Sequence, residues 1–222
     1  MARSAIPEIR PYPLPAADDL PRNRADWTVD ADRALLLIHD MQRYFLGFLP
    51  DGEPPRRHLE DQVTAVRRTA ARAGVPVVYT AQPGDMTEEQ RGLLKDFWGP
   101  GMTAAPEHRS IPERFGPVAE DCVLTKWRPS AFFRTGLLEL LRESGRDQLV
   151  LCGIYAHVGV LQTAIEAMAN DVQAFMVADA MADFSADEHR MALEYAAARC
   201  AVVVPAKTVL SAFAATPAGA QR

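Results

Sequence analysis

The sequence predicts a doubly wound α/β domain, a mainly parallel six-stranded sheet with helices on both faces. Three observations carry this expectation. Six short, continuously apolar runs recur along the chain, amphipathic stretches separate most of them, and 222 residues suit one such domain. Runs without polar alternation suit strands buried on both faces, which means a parallel sheet covered by helices.

The strands are expected at Ala34–His39, Val75–Thr80, Cys122–Thr125, Gln148–Cys152, Val172–Val177 and Cys200–Val204. Helical patterns fill roughly 56–73, 134–144, 157–170 and 185–198, with a short one at 207–214. Gly74 and Gly145 stand where the first two helices should be capped, and Ser185 offers an N-cap to the fourth. Residues 1–30 carry several prolines and little periodicity, so they read as an extended arm on the domain surface, reaching toward a partner subunit. The domain proper then spans 31–215, with a tail at 216–222. The longest break in the alternation, 81–120, is rich in Pro and Gly and follows a strand's carboxyl end, where open α/β folds place ligands.

Composition excludes several classes. A hydrophobic content of 48% with 24% charged residues describes a soluble globular protein, and a net charge of −5 argues against a nucleic-acid partner. Cys122, Cys152 and Cys200 lie inside apolar runs and read as reduced thiols. No run approaches the length of a membrane span and no signal-like segment opens the chain, so no membrane partner is expected and the cytoplasm is the expected compartment. His39, His58, His108, His157 and His189 show no paired metal-ligand spacing, there is no Cys-x-x-Cys, and glycine-rich phosphate loops are absent. Neither metal nor cofactor is expected.

Three strand ends could carry chemistry. Asp40 in LLLIHDMQ reads either as a cap for the next helix or as an acid at the tip of a rigid strand. Lys126 in VLTKWRPSAFF reads as solvated or as a cation among Trp127, Phe132 and Phe133, whose rings exclude water and strengthen local electrostatics. In CGIYAHVG (152–159), small residues let backbone N–H groups at a helix start approach a carboxylate; His157 there is either a base or a packing residue.

Taken together, HDMQRYF (39–45), YTAQPG (79–84), EEQRGLLKDFWGPGM (88–102), TKWRPSAFF (125–133), GRDQLVLCGIYAHVG (145–159) and VADAMADFS (177–185) resemble the isochorismatases, above all those of phenazine and catecholate-siderophore biosynthesis. The resemblance spans nearly the whole chain, the proline-rich arm included. It implies kinship with cysteine hydrolases such as nicotinamidases, which use an Asp–Lys–Cys triad; Asp40 and Lys126 fill the first two places, and Gly159 stands in the third. The nucleophile is missing, and Cys152 lies seven residues earlier, inside a strand. The resemblance further implies that Gln82 and Arg91 contact substrate carboxylates or a ring hydroxyl, and that Phe45, Trp98 and Tyr155 wall the pocket. Pro129 departs from the pattern, where relatives usually carry tyrosine. The chain ends shortly after the hydrolase region, so no fused carrier-protein domain is expected, and a homodimer is, with the apolar helix at 157–170 as a contact surface or simply as cover for the sheet.

The implied reaction is hydrolysis of an enolpyruvyl ether on a dianionic cyclohexadiene, isochorismate or its 2-amino-2-deoxy analogue. Protonation at carbon needs a general acid and no protein nucleophile, and Asp40 is the candidate. Lys126 beside it favours the charged carboxylate, whereas burial and a doubly negative substrate favour the protonated acid. Two alternatives stay open: an amide or N-carbamoyl hydrolase of the nicotinamidase type, and a non-catalytic docking protein of a biosynthetic pathway.

Overall fold

Ala34–His39 forms β1, and every later strand is placed relative to it. The computed structural model describes residues 6–215, so the expected tail at 216–222 and the first five residues of the arm lie outside the described residues. The other strands are β2 (Val77–Ala81), β3 (Cys122–Thr125), β4 (Gln148–Ile154), β5 (Gln173–Ala182) and β6 (Ala201–Val204). They form one sheet of order β3-β2-β1-β4-β5-β6, parallel at every pairing. The winding reverses between β1 and β4, which opens a crevice beyond their carboxyl ends.

The helices are α1 (Arg43–Leu46), α2 (Arg56–Arg72), α3 (Glu88–Arg91), α4 (Leu94–Trp98), α5 (Pro106–Arg109), α6 (Leu137–Glu143), α7 (Leu161–Ala169), α8 (Ala186–Arg199) and α9 (Ala206–Ala214). Alternation along the strands sorts them into two layers. Leu36 and Ile38 join Val77, Tyr79 and Val150 in a core with Leu59, Val63 and Val66 of α2 and Phe213 of α9. Leu35 and Leu37 point the other way, toward Leu137 and Leu141 of α6, Ala164 of α7 and Leu193 of α8. Burying each such Leu or Ile contributes about 1.5–3 kcal/mol, so β1, buried at all six positions, anchors both layers.

Residues 6–30 carry no strand and one short 3₁₀ turn, Ala17–Asp19. Ile6, Ile9 and Tyr12 are buried in the first core. Asn23 covers the edge of β6: its amide donates to Val203 O (2.9 Å) and its Oδ1 accepts from Val203 N (2.8 Å), which blunts an edge open to further pairing.

Several boundaries moved for physical reasons. β2 starts at Val77, after Pro76, which has no N–H to give a ladder. β5 runs on to Ala182 through Ala-Asp-Ala-Met-Ala, small and polar residues of low strand propensity that concealed its second half. The helix expected from 134 starts at Leu137, because Arg134 adopts a left-handed φ of 52°. The helix expected from 157 begins as a π turn over Ala156–Val160, with Tyr155 O accepting from the amides of Val158, Gly159 and Val160. The 81–120 segment contains α3, α4 and α5. Ser185 caps α8 by accepting from Glu188 N at 3.2 Å.

Gly153 is the tightest point of the sheet. It pairs with His39, has φ 109°, and a β-carbon on it would overlap His39 O and stand 2.8 Å from His39 N. Gly153→Ala is therefore expected to cost about 3 kcal/mol or more, read as a fall in Tm by circular dichroism.

Candidate active site

The crevice at the reversal collects residues that follow β1, β2, β3, β4 and β5. Asp40 leaves β1 with φ 50°, a left-handed backbone unusual for a residue with a side chain. Its amide donates to Thr80 Oγ1 (3.1 Å), the Thr80 hydroxyl donates to Asp40 Oδ1 (2.7 Å), and Lys126 Nζ donates to Asp40 Oδ2 (2.6 Å). Lys126 follows β3, and its own amide donates to Ala81 O on β2 at 2.9 Å. Asp40 and Lys126 are both buried, at 5% and 2% exposure, so their attraction acts with little screening by water. Asp40 caps no helix: the N-cap of α1 is Gln42.

Gln82 follows β2 and is clamped by buried Gln42, whose Oε1 accepts from Gln82 N (2.8 Å) and whose Nε2 donates to Gln82 O (2.9 Å). Arg91, at the end of α3, is 5% exposed. Its Nε donates to Gly99 O (2.8 Å), Nη2 to Trp98 O (3.2 Å) and Nη1 to Gln82 Oε1 (3.4 Å). Among the described residues it has no ion pair with a carboxylate. Burial pulls this guanidinium below its ordinary value, and an uncompensated buried cation favours an incoming anion. Gly101 (φ 84°) makes room for it, since a β-carbon there would stand 3.0 Å from Arg91 Cζ.

The walls are aromatic. Phe45 and Tyr155 meet edge to face at 6.2 Å, Tyr155 and Phe184 at 4.7 Å, and Trp98 and Phe184 at 6.0 Å. The Tyr155 hydroxyl is spent on Phe45 O at 2.6 Å, which fixes the ring as a wall. Gly159, in the π turn, completes the floor beside His39.

Asp40, Phe45, Gln82, Arg91, Trp98, Lys126, Tyr155 and Gly159, all singled out in the sequence, line this one pocket, and so does Pro129. His157 does not line it: its Nδ1 pairs with Asp183 Oδ1 at 2.5 Å, and its amide donates to Asp183 Oδ2 at 2.7 Å. Ile6, His39, Tyr44, Leu94, Arg128 and Phe184 also line the pocket and were not singled out for it. Thr80 and Gln42 stand behind it; a threonine inside an apolar strand and a glutamine two residues after Asp40 were the available signals. No thiol lines the pocket. Cys152 is buried in β4 with Sγ toward Leu37 O, and burial pushes it up to about 12. Among the described residues, no cluster of three or more His, Cys, Asp or Glu side chains could hold a metal ion.

Two buried histidines are expected to weaken the fold in acid. Burial, the largest influence, pushes His39 and His189 down to about 4 from 6.5. Both stay neutral in the fold while the unfolded chain takes up protons below pH 6.5, so stability falls as pH drops from 6.5 toward 4, by up to about 1.4 kcal/mol per histidine per pH unit. His157 opposes this. Burial lowers it, but the Asp183 hydrogen bond and charge outweigh burial and leave it raised, so its stabilising share is complete below 6.5 and is lost as pH rises through the folded value. A Tm–pH series is expected to fall below pH 6, and His189→Gln should flatten that limb by about one proton.

The chain has known relatives. The family model described as the isochorismatase domain matches residues 34–208. Phenazine biosynthesis protein PhzD1 of Pseudomonas aeruginosa is 59% identical over 207 residues, covering 93% of this chain and 99% of that protein. The isochorismatase of Bacillus subtilis is 49% identical over 218 residues, 98% of this chain and 70% of that one. The crystal structure of a cysteine hydrolase from Pseudomonas syringae pv. phaseolicola, 19% identical, superposes with a TM-score of 0.74 over 88% of this chain and 98% of its own, a likeness of fold. The chain belongs to the isochorismatase family.

Proposed function

We propose that this chain hydrolyses the enolpyruvyl ether of isochorismate or 2-amino-2-deoxyisochorismate, releasing pyruvate and a dihydro-hydroxybenzoate or dihydro-hydroxyanthranilate. The observation that carries the reading is a buried carboxyl, Asp40, held by Lys126 and Thr80 in the same aromatic pocket as a buried Arg91 that lacks an acidic partner among the described residues. Such a pocket suits a small ring bearing two carboxylates.

Asp40 transfers its proton to the terminal methylene carbon, and the electron pair of the C=C bond forms the new C–H bond. The resulting oxocarbenium ion is captured by water, which returns one proton to Asp40. The hemiketal then collapses, its hydroxyl proton passing to the ring oxygen as the C–O bond breaks. Carbon is a slow proton acceptor, so a positioned acid accounts for a factor of roughly 10²–10⁴. Lys126 and Arg91 stand where they can neutralise the two substrate carboxylates. The volume a side chain at 159 would take is filled by the His39 ring, so Gly159 presents backbone alone, which can approach the pyruvyl carboxylate.

A second copy of the chain belongs to this proposal. α7 buries Leu161, Thr163, Ala164 and Ala167 on the sheet side and leaves Ile165 and Met168 partly open, at 36% and 45%. No helix among the described residues is long and apolar enough to cross a membrane, and the proposed compartment is the cytoplasm.

A coupled assay for pyruvate on both substrates tests the reading. Asp40→Asn should fold yet lose at least about 10²-fold in turnover, and retained turnover would overturn the role of Asp40. Arg91→Gln should lower kcat/KM about 10–100-fold, the cost of one lost charge-assisted contact. Nicotinamide and N-carbamoyl compounds should not turn over, and sedimentation should give twice the chain mass.

A further inference from the structure

We propose that His39 and Gly159 are a matched pair: the imidazole occupies the volume that any side chain at position 159 would need. A β-carbon on Gly159 would overlap His39 Cε1, stand 2.9 Å from His39 Nε2 and lie 3.1 Å from Pro129 O. None of these neighbours is the free end of a flexible chain. His39 is wholly buried, and its Nδ1 donates to Ile154 O at 2.9 Å. Its backbone is the last residue of β1, pressed against Gly153 of β4 closely enough that Gly153 has no room for a β-carbon. Pro129 presents backbone, which cannot rotate away. The ring is thus pinned from two sides, and position 159 accepts only a hydrogen.

It follows that the absence of a nucleophile at 159 is enforced by residue 39. Restoring a side chain at 159 demands a smaller residue at 39, so the pair, and not the glycine alone, determines the type of reaction. That last statement rests on the hydrolase reading above; the packing statement does not, and the test reads packing.

His39→Asn separates the two parts of the ring. The amide can still donate to Ile154 O, while the Cε1 and Nε2 positions are vacated. Four proteins are compared: wild type, G159A, H39N and H39N/G159A. G159A is expected to lower Tm by roughly 4–10 °C in the wild-type background, as overpacking does, and by less than about 2 °C in the H39N background. If G159A yields no folded protein, a folded H39N/G159A supports the pair, and failure of both overturns it. Equal losses of Tm in the two backgrounds, or none in either, also overturn it.

Iodoacetamide gives the second measurement, with peptide masses separating position 159 from Cys122, Cys152 and Cys200. The thiolate displaces iodide to form the S–C bond, its proton having gone to solvent. Native H39N/G159C should be labelled at position 159, and G159C alone should be labelled there at least tenfold more slowly or fail to fold. Equal labelling of the two folded proteins overturns the proposal whether or not either turns over a substrate.

Discussion

The contact between Lys126 and Asp40 is the constraint around which this molecule is arranged. Taking both charges out of water costs several kcal/mol each, and their mutual attraction offsets that cost only if the remaining polar atoms are also satisfied. The sheet provides for this: Thr80 on β2 supplies a hydroxyl to the second carboxyl oxygen, and Ala81 O fixes the backbone of Lys126. Three adjacent strands, β1, β2 and β3, must end in register for the pair to form. The order of the sheet is thus felt directly at the carboxyl group.

The pocket is built as an electrostatic imbalance. Lys126 is committed to Asp40, but Arg91 donates to the neutral oxygens of Trp98, Gly99 and Gln82 and, among the described residues, forms no ion pair with a carboxylate. Those contacts fix its direction without cancelling its charge. A buried cation left in this way favours an anion over a neutral ligand.

Much of this was legible in the chain. Six apolar runs located six strands: burial on both faces keeps β1, β4 and β6 almost wholly apolar, while β3, at the sheet edge, is apolar in Cys122, Val123 and Leu124 although Val123 and Thr125 are exposed. Asp40 and Lys126 were visible as interruptions where those runs stop, and Gly159 only through the resemblance to the isochorismatases. What escaped notice shares a physical reason. Thr80 and His39 lie within strands, where a polar residue reads as tolerated and not as oriented inward. Phe184 and Ile6 reach the pocket from segments far away in sequence, and no local periodicity encodes that approach. The continuation of β5 depends on pairing with its neighbours, not on its own composition.

The proline-rich arm bears on what counts as the working unit. The family match begins at residue 34, yet Ile6 forms part of the pocket wall, and Tyr12 reaches across to the strand end that holds the histidine–aspartate couple, its oxygen accepting from Asp183 N at 2.6 Å. A fragment lacking residues 6–33 would keep every strand of the sheet while losing Ile6 from the cavity wall and Tyr12 from the loop after β5. The smallest piece that holds the sheet is therefore smaller than the smallest piece that holds the whole cavity wall, and the difference is made by residues with almost no regular structure of their own.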